Sequence, residues 1–471
     1  MLFNSIEFLW FLPVVFIAYW SLKNNLRMQN LLIVVASYVF YGWWDWRFLI
    51  LIAFTSAWSY VFGLFECGES RRAWAKVRLA ISLVINLGIL GVFKYYNFFA
   101  DSLVAVFPAL KNSFVTLNVV LPVGISFYTF QALSYTIDVY RGTIRPTKDP
   151  IAFFAFISFF PQLVAGPIER ATNLLPQFLQ RRKFDYALAV DGCRQMLWGA
   201  FKKVVMADAC GQVVDRIFCN PDMYGAGALW VGAILFAFQI YGDFSGYSDI
   251  AIGCSRLFGF NLMRNFAFPY FSRDIAEFWR RWHISLTTWF RDYLYIPLGG
   301  SRCGMMKRIR NTFAVFLVSG LWHGANWTFV IWGACHACLF LPLLIMGRNR
   351  KHLAPIEGKA LLPPIRDAIG MCCTFLMVTL AWVLFRAKDL SCALDYLSRM
   401  FRGTGQFPLS ILLPLKWVAV VVVLEWFMRS EQHALAVLCR SKPLRWLIYL
   451  ALTIAVIAAF KRNAAFIYFQ F

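Results

Sequence analysis

The sequence predicts an all-α protein that crosses a membrane many times, and three observations carry the prediction. Hydrophobic residues fill 60% of the 471 positions and charged residues only 15%, so no polar stretch is long enough to fold as a separate soluble domain. The apolar residues come in runs of membrane-crossing length joined by short loops. Lys and Arg concentrate in every second loop, which is how a multi-pass chain sets its orientation. The formal net charge of +22 is therefore spread over loops. It suits anionic lipid or an anionic cosubstrate, and it argues against nucleic acid as a partner.

The run from Phe8 to Trp20 has neither a basic leader nor a small-residue cleavage site, so it reads as a retained first span. Further spans are expected at about Leu31 to Trp44, Phe48 to Phe65, Leu79 to Phe99 and Val115 to Tyr140. Lys23 and Arg27 follow the first span, Arg71, Arg72, Lys76 and Arg78 the third, and Arg141, Arg145 and Lys148 the fifth. That alternation places the N-terminus outside and those three connections in the cytoplasm.

In FISFFPQLVAGPIER, Pro161 and the Gly166-Pro167 pair interrupt an apolar run, which predicts a re-entrant element. Tyr186 to Phe218, with Lys202, Lys203, Asp208 and Arg216, reads as an interfacial or partly inserted helix. The next span, Gly227 to Leu257, carries QIYGDFSGYSDIAIG, where Asp243, Ser245, Ser248 and Asp249 predict a face turned to a polar cavity. Asn326 to Met346, Ile365 to Phe385, Leu409 to Met428 and Leu444 to Phe460 supply four more spans. Leu390 to Arg402 is amphipathic, and the aromatic tail AAFIYFQF suits an interface. The whole chain reads as one integral-membrane domain: N-terminal spans in 1–150, a core in 151–346, C-terminal spans in 347–471. No internal repeat of the secondary-transporter kind is present. The cysteines of Cys335-His336-Ala-Cys338 read as packing residues in a helix, and no metal site is expected.

The chemistry concentrates between Ser272 and His336. Ile275, Phe278, Trp279, Trp282, Leu286, Trp289, Phe290 and Tyr293 recur at helical spacing, with Arg280, His283, Thr287 and Arg291 opposite, so an amphipathic helix is expected there. His323 lies between Gly320 and Gly324 in a strongly apolar run, which puts an imidazole at membrane depth and marks a functional position. On one continuous helix, His323 and His336 would stand about 19 Å apart on nearly opposite sides, whereas Asn326 would share the face of His323. A break at Gly324 or Gly333 would change that. A buried neutral imidazole can act as a general base toward a hydroxyl acceptor.

WRRWHISLTTWFRDYLYIPLGGSR, SGLWHGANWTFVIWG, FPQLVAGPIER and QIYGDFSGYSDIAIG resemble the signature segments of the membrane-bound O-acyltransferase superfamily, in its alginate O-acetylase-like bacterial branch. The likeness runs from MLFNSIEFLWFLP to the terminal FIYFQF. Gly242 departs from it, standing where a bulky aromatic precedes DFSGYSD, as does Ala337 after His336. The resemblance implies a ring of tilted transmembrane helices, with re-entrant and interfacial helices, around a central funnel. It also implies that His323 is catalytic and His283 a second important position. The activity it implies is O-acetylation of an exported polysaccharide such as alginate or cellulose. Acetyl-coenzyme A would be the cytoplasmic donor, with no resident cofactor, and extracytoplasmic acetyltransferase- or esterase-like proteins would complete the transfer at the bacterial inner membrane.

Arg280, Arg291 and Arg302 then suit either donor phosphates or lipid headgroups. Asn326, Asp243, Ser245 and Asp249 would line the cavity. Two other readings fit the same residues: transfer of D-alanine to teichoic acid from a carrier-protein thioester, and a non-enzymatic conduit or scaffold for polysaccharide export, which would not depend on His323.

Overall fold

The computed structural model describes residues 1–65, 72–111, 113–114, 116–117, 120–353, 362–436 and 441–460. Arg71 and the aromatic tail at 464–471 lie outside them. The described chain is built of helices joined by turns, with an isolated bridge between Tyr224 and Gln406. Among the described residues, seven helices are long and apolar enough to cross a membrane: Phe48–Phe65, Trp74–Val106, Ala226–Leu257, Trp327–Ile345, Ile365–Arg386, Leu409–Phe427 and Lys442–Ala459. The protein is thus an all-α multi-pass membrane protein, as its composition predicts. Ile6–Ser21 and Pro150–Leu163 are shorter apolar helices.

The second expected span is helix Leu26–Gly42, which starts before Leu31 and is not among the seven, and two further boundaries differ. The fourth span is longer: it runs to Val106 through a π-helical turn at Gly91–Tyr95. The fifth is shorter, because its helix begins only at Ile125. Pro122 lacks the N–H that a helix needs, and Gly124 takes a left-handed φ of 75°. A Cβ on Gly124 would also lie 2.6 Å from the carbonyl oxygen of Leu163, so glycine is needed for both conformation and space.

The chain forms two compact units, residues 1–192 with 251–263, and residues 193–250 with 264–471. In the first, the broken segment appears where Pro161 predicts it. Helix Pro150–Ser158 stops at Phe159, and a single turn, Phe160–Leu163, follows. Polar side chains take up the groups released by the break: Gln131 and Gln162 donate to the Phe156 carbonyl at 2.7 and 3.1 Å, and the Phe160 N–H donates to Ser37 Oγ at 3.0 Å. Backbone buried in an apolar interior is tolerated only with such partners.

In the second unit, helices Met305–His323 and Trp327–Ile345 pack antiparallel. Two glycines set their separation. A Cβ on Gly320 would strike the Phe329 carbonyl, and one on Gly333 would strike the Phe316 carbonyl. Close approach through small residues is a common way for helices to associate where water supplies no hydrophobic drive.

Candidate active site

The long amphipathic helix expected after Ser272 is broken into Ile275–Arg281 and Ile284–Phe290, followed by a π-helical turn at Arg291–Tyr295. At seven residues, about 10 Å each, neither helix can span a bilayer. The break centres on His283, whose φ of 45° is left-handed, a conformation that costs a non-glycine residue about 1–3 kcal/mol. Neighbouring backbone holds it there: the Ile284 N–H donates to the Asn265 carbonyl and the Ala267 N–H to the Arg281 carbonyl, both at 2.9 Å. The kink takes His283 off the arginine-bearing face on which a continuous helix would have placed it, and it is 1% exposed. Burial among Phe244, Phe266 and Trp322 pushes its imidazole pKa down to about 3, so the ring is neutral at ordinary pH.

His323 ends its helix. Gly324 turns to extended backbone, and Asn326 opens the next helix by accepting from the Thr328 N–H at 3.0 Å. Asn326 therefore does not share a helical face with His323, and its amide donates to the Lys388 carbonyl at 2.9 Å. The break at Gly324 also removes the separation that one continuous helix would impose on the two histidines. His323 packs 5.3 Å from the Trp332 ring and His336 packs 4.8 Å from the same ring. His336 is further enclosed by Trp279 at 4.9 Å, and neither of its ring nitrogens has a hydrogen-bond partner among the described residues. His323 faces His283 instead, with ring centroids 6.4 Å apart. Trp322 and Phe385 complete its wall, and it is 4% exposed. Two neutral-capable imidazoles side by side in an aromatic enclosure can accept and deliver a proton away from bulk water.

The polar residues of Ala226–Leu257 divide between two tasks. Ser248 accepts from the Asn265 amide at 3.1 Å, and Phe244, one turn away, lies against the His283 ring. Asp243, Ser245 and Asp249 meet two lysines. Lys202 lies 2.7 Å from Asp249, 2.8 Å from Ser245 and 3.7 Å from Glu425. Lys203 lies 2.6 Å from Asp243 and 2.8 Å from Asp208. Tyr241 adds hydrogen bonds to both Glu425 oxygens, and Gln195 one to Asp249. The lysines sit on a π-helical turn, Phe201–Ala207, that is buried throughout, so their charges are paired inside the protein rather than solvated. The glycine at 242 has a local reason: a Cβ there would meet the Met206 side chain and lie 3.0 Å from the Lys202 carbonyl.

The three arginines are dispersed. Arg280 donates to the carbonyls of Asn349 and His352 at 2.8 and 2.9 Å. Arg291, 58% exposed, pairs with its neighbour Asp292 at 2.6 Å, and Arg302 is exposed in the bend before Met305. The sequence reading does not mark Asn265 or Glu425, and it takes Lys202 and Lys203 only as charges on the Tyr186 to Phe218 helix. A lone carboxylate in VVVVLEWF and a lysine pair in AFKKVVMA are signals of buried charge, whereas Asn265 sits in a loop with no periodicity to mark it.

Residues 143–383 match the model of the membrane-bound O-acyltransferase family, MBOAT. A protein of Pseudomonas aeruginosa that carries the name probable alginate O-acetylase AlgI is 43% identical over 411 residues, 86% of this chain and 76% of that one. The peptidoglycan O-acetyltransferase of Helicobacter pylori is 36% identical over 86% of this chain and 80% of its own length. The teichoic acid D-alanyltransferase of Streptococcus thermophilus is 29% identical over 60% of this chain and 72% of its own. The matched region holds His283, His323, Asn265 and both lysines, and with these relatives it establishes the chain as a membrane O-acyltransferase of the MBOAT family.

Proposed function

We propose that this enzyme moves acetyl groups from cytoplasmic acetyl-coenzyme A, through the bacterial inner membrane, onto an exported polysaccharide, with His323 as general base. The observation that supports the reading is the placement of His323: buried at the end of helix Met305–His323, walled by tryptophan and phenylalanine rings, with a second imidazole beside it. An acceptor hydroxyl attacks the thioester carbonyl and its proton passes to the His323 ring. The C–S bond then breaks, and the leaving thiolate takes the proton as coenzyme A. The names of the relatives favour acetyl transfer to a polymer over D-alanyl transfer, since the acetyltransferases match more of the chain at higher identity. Extracytoplasmic acetyltransferase- or esterase-like proteins would carry the group onward to the polymer.

Donor binding is assigned to the exposed Arg291 and Arg302 and to the half-buried Arg280. Arg291→Gln is expected to raise the apparent KM for acetyl-coenzyme A severalfold with a smaller change in kcat, because it removes binding shared by ground and transition states. Arg280→Gln should do the same and also loosen the turn carrying Asn349 and His352. Steady-state acetyl transfer by protein in liposomes, with donor concentration varied, reads both. An unchanged donor dependence would assign Arg291 to lipid headgroups and Arg280 to the turn alone.

A further inference from the structure

Asn265 makes more contacts around His283 than a loop residue needs. Its carbonyl accepts from the Ile284 N–H at 2.9 Å. Its side-chain oxygen accepts from the Ser285 N–H at 3.3 Å and from Ser285 Oγ at 2.9 Å. One residue from a different segment thus caps the first two N–H groups of helix Ile284–Phe290, whose own N-cap, His283, makes no side-chain cap. Those contacts fix which way the amide points. A main-chain N–H can only donate, so the Asn265 atom it meets is the oxygen. The other end, Nδ2, donates to Ser248 Oγ at 3.1 Å. Reversing the amide would set two donors against each other at Ser285.

The same oxygen lies 3.1 Å from His283 Nδ1, and Ser285 Oγ, whose hydrogen goes to that oxygen at 2.9 Å, lies 3.4 Å from the same nitrogen. If Nδ1 carried a lone pair, two acceptors would face each other in a buried site. It therefore carries the hydrogen, and in a neutral ring Nε2 is left with the lone pair. Nε2 is buried and has no hydrogen-bond partner among the described residues. The rings that pack on this imidazole, by centroid separation, are Phe244 at 4.6 Å, Trp322 at 6.0 Å, and His323 and Phe266 at 6.4 Å. An unpartnered acceptor in an apolar enclosure is costly unless a ligand or a reacting group supplies the hydrogen.

We propose that Asn265 is a positioning residue that locks His283 in the Nδ1–H tautomer and so presents Nε2 as an acceptor to the acyl-transfer site. The use of that acceptor rests on the acyl-transfer reading of His323, whereas the tautomer itself does not. Histidine free in water favours the opposite tautomer, with the hydrogen on Nε2, so the lock has a visible consequence. The left-handed backbone at His283 serves the same end: it brings Nδ1 of the capping residue onto the oxygen that caps its helix. Ser248 holds the far end of the amide and ties the arrangement to Ala226–Leu257.

The test is the ¹⁵N spectrum of the full-length protein labelled at histidine, reconstituted in lipid, with the His283 signals assigned by their loss in His283→Gln. The wild type should show a neutral ring protonated at Nδ1, and Asn265→Asp, which keeps the oxygen, should show hydrogen on Nδ1 as well. Asn265→Leu should move the ring toward Nε2–H and lower kcat for acetyl transfer by about 10- to 100-fold with little change in donor KM, the scale on which partners that fix a histidine tautomer act. If Asn265→Leu does not fold, the wild-type and Asn265→Asp spectra still decide. Hydrogen on Nε2 in the wild type, or an Asn265→Leu protein with the wild-type tautomer, would overturn the proposal whatever the activity. Absence of acetyl transfer by wild type would instead count against the acyl-transfer reading and leave the tautomer result standing.

Discussion

Replacing His323 with alanine is expected to lower acetyl transfer by a factor on the order of 100 or more, the usual scale for removing a general base, while the protein inserts and accumulates normally. Alanine suits the end of helix Met305–His323, and the Gly320–Phe329 and Gly333–Phe316 approaches that hold it against Trp327–Ile345 are backbone contacts that do not use the imidazole. His336→Ala should cost less activity, because its ring is enclosed by Trp279, Trp332 and Phe316, whereas His323 faces a second imidazole. Raising donor concentration should not rescue His323→Ala. Acetyl release and polymer labelling with purified protein in liposomes measure both variants. A fully active, correctly folded His323→Ala protein would move the non-enzymatic conduit reading to first place.

The second large effect is on stability. Lys202→Met should destabilise the protein by about 3–5 kcal/mol, the cost of leaving buried charge uncompensated. Lys202 is 2% exposed, and its removal strands Asp249 and Glu425, which come from helices far apart in sequence. Thermal unfolding in detergent, followed by loss of the monodisperse peak, reads the change. Adding Glu425→Gln to Lys202→Met should recover part of the loss, because it removes one of the stranded charges. A Lys202→Met protein as stable as the wild type would mean that Tyr241 and Gln195 alone satisfy these carboxylates.

The fold was legible wherever an apolar run met its own local stop signals. Phe48–Phe65 and Ile365–Arg386 lie where hydropathy puts them, and Pro161 marks the broken element. The fifth span was read too long because Leu121 and Val123 continue the apolar run while Pro122 and Gly124 forbid the helix; hydropathy reports burial, not backbone geometry. The continuous amphipathic helix failed for a related reason. Trp282 and His283 fit its period, but the tether that bends the chain comes from Asn265, outside the segment. Nothing local shows how Lys202 and Lys203 come to be buried, because their partners Asp243, Asp249 and Glu425 are distant in sequence. His323 stands out in the sequence as an imidazole between glycines in an apolar run, and it is buried in the structure. The company it keeps, His283 and Trp332, required the turn at Gly324 that joins two helices across three residues.

The most direct measurement is the acetate content of the cell's exported polysaccharide, by mass spectrometry, in cells with this protein, without it, and with His323→Ala in its place. Polysaccharide should still be exported in all three, O-acetylated with the wild type and unacetylated, or nearly so, in the other two. Polymer that stays fully acetylated without the protein, or export that fails along with acetylation, would contradict an acetyltransferase built around His323.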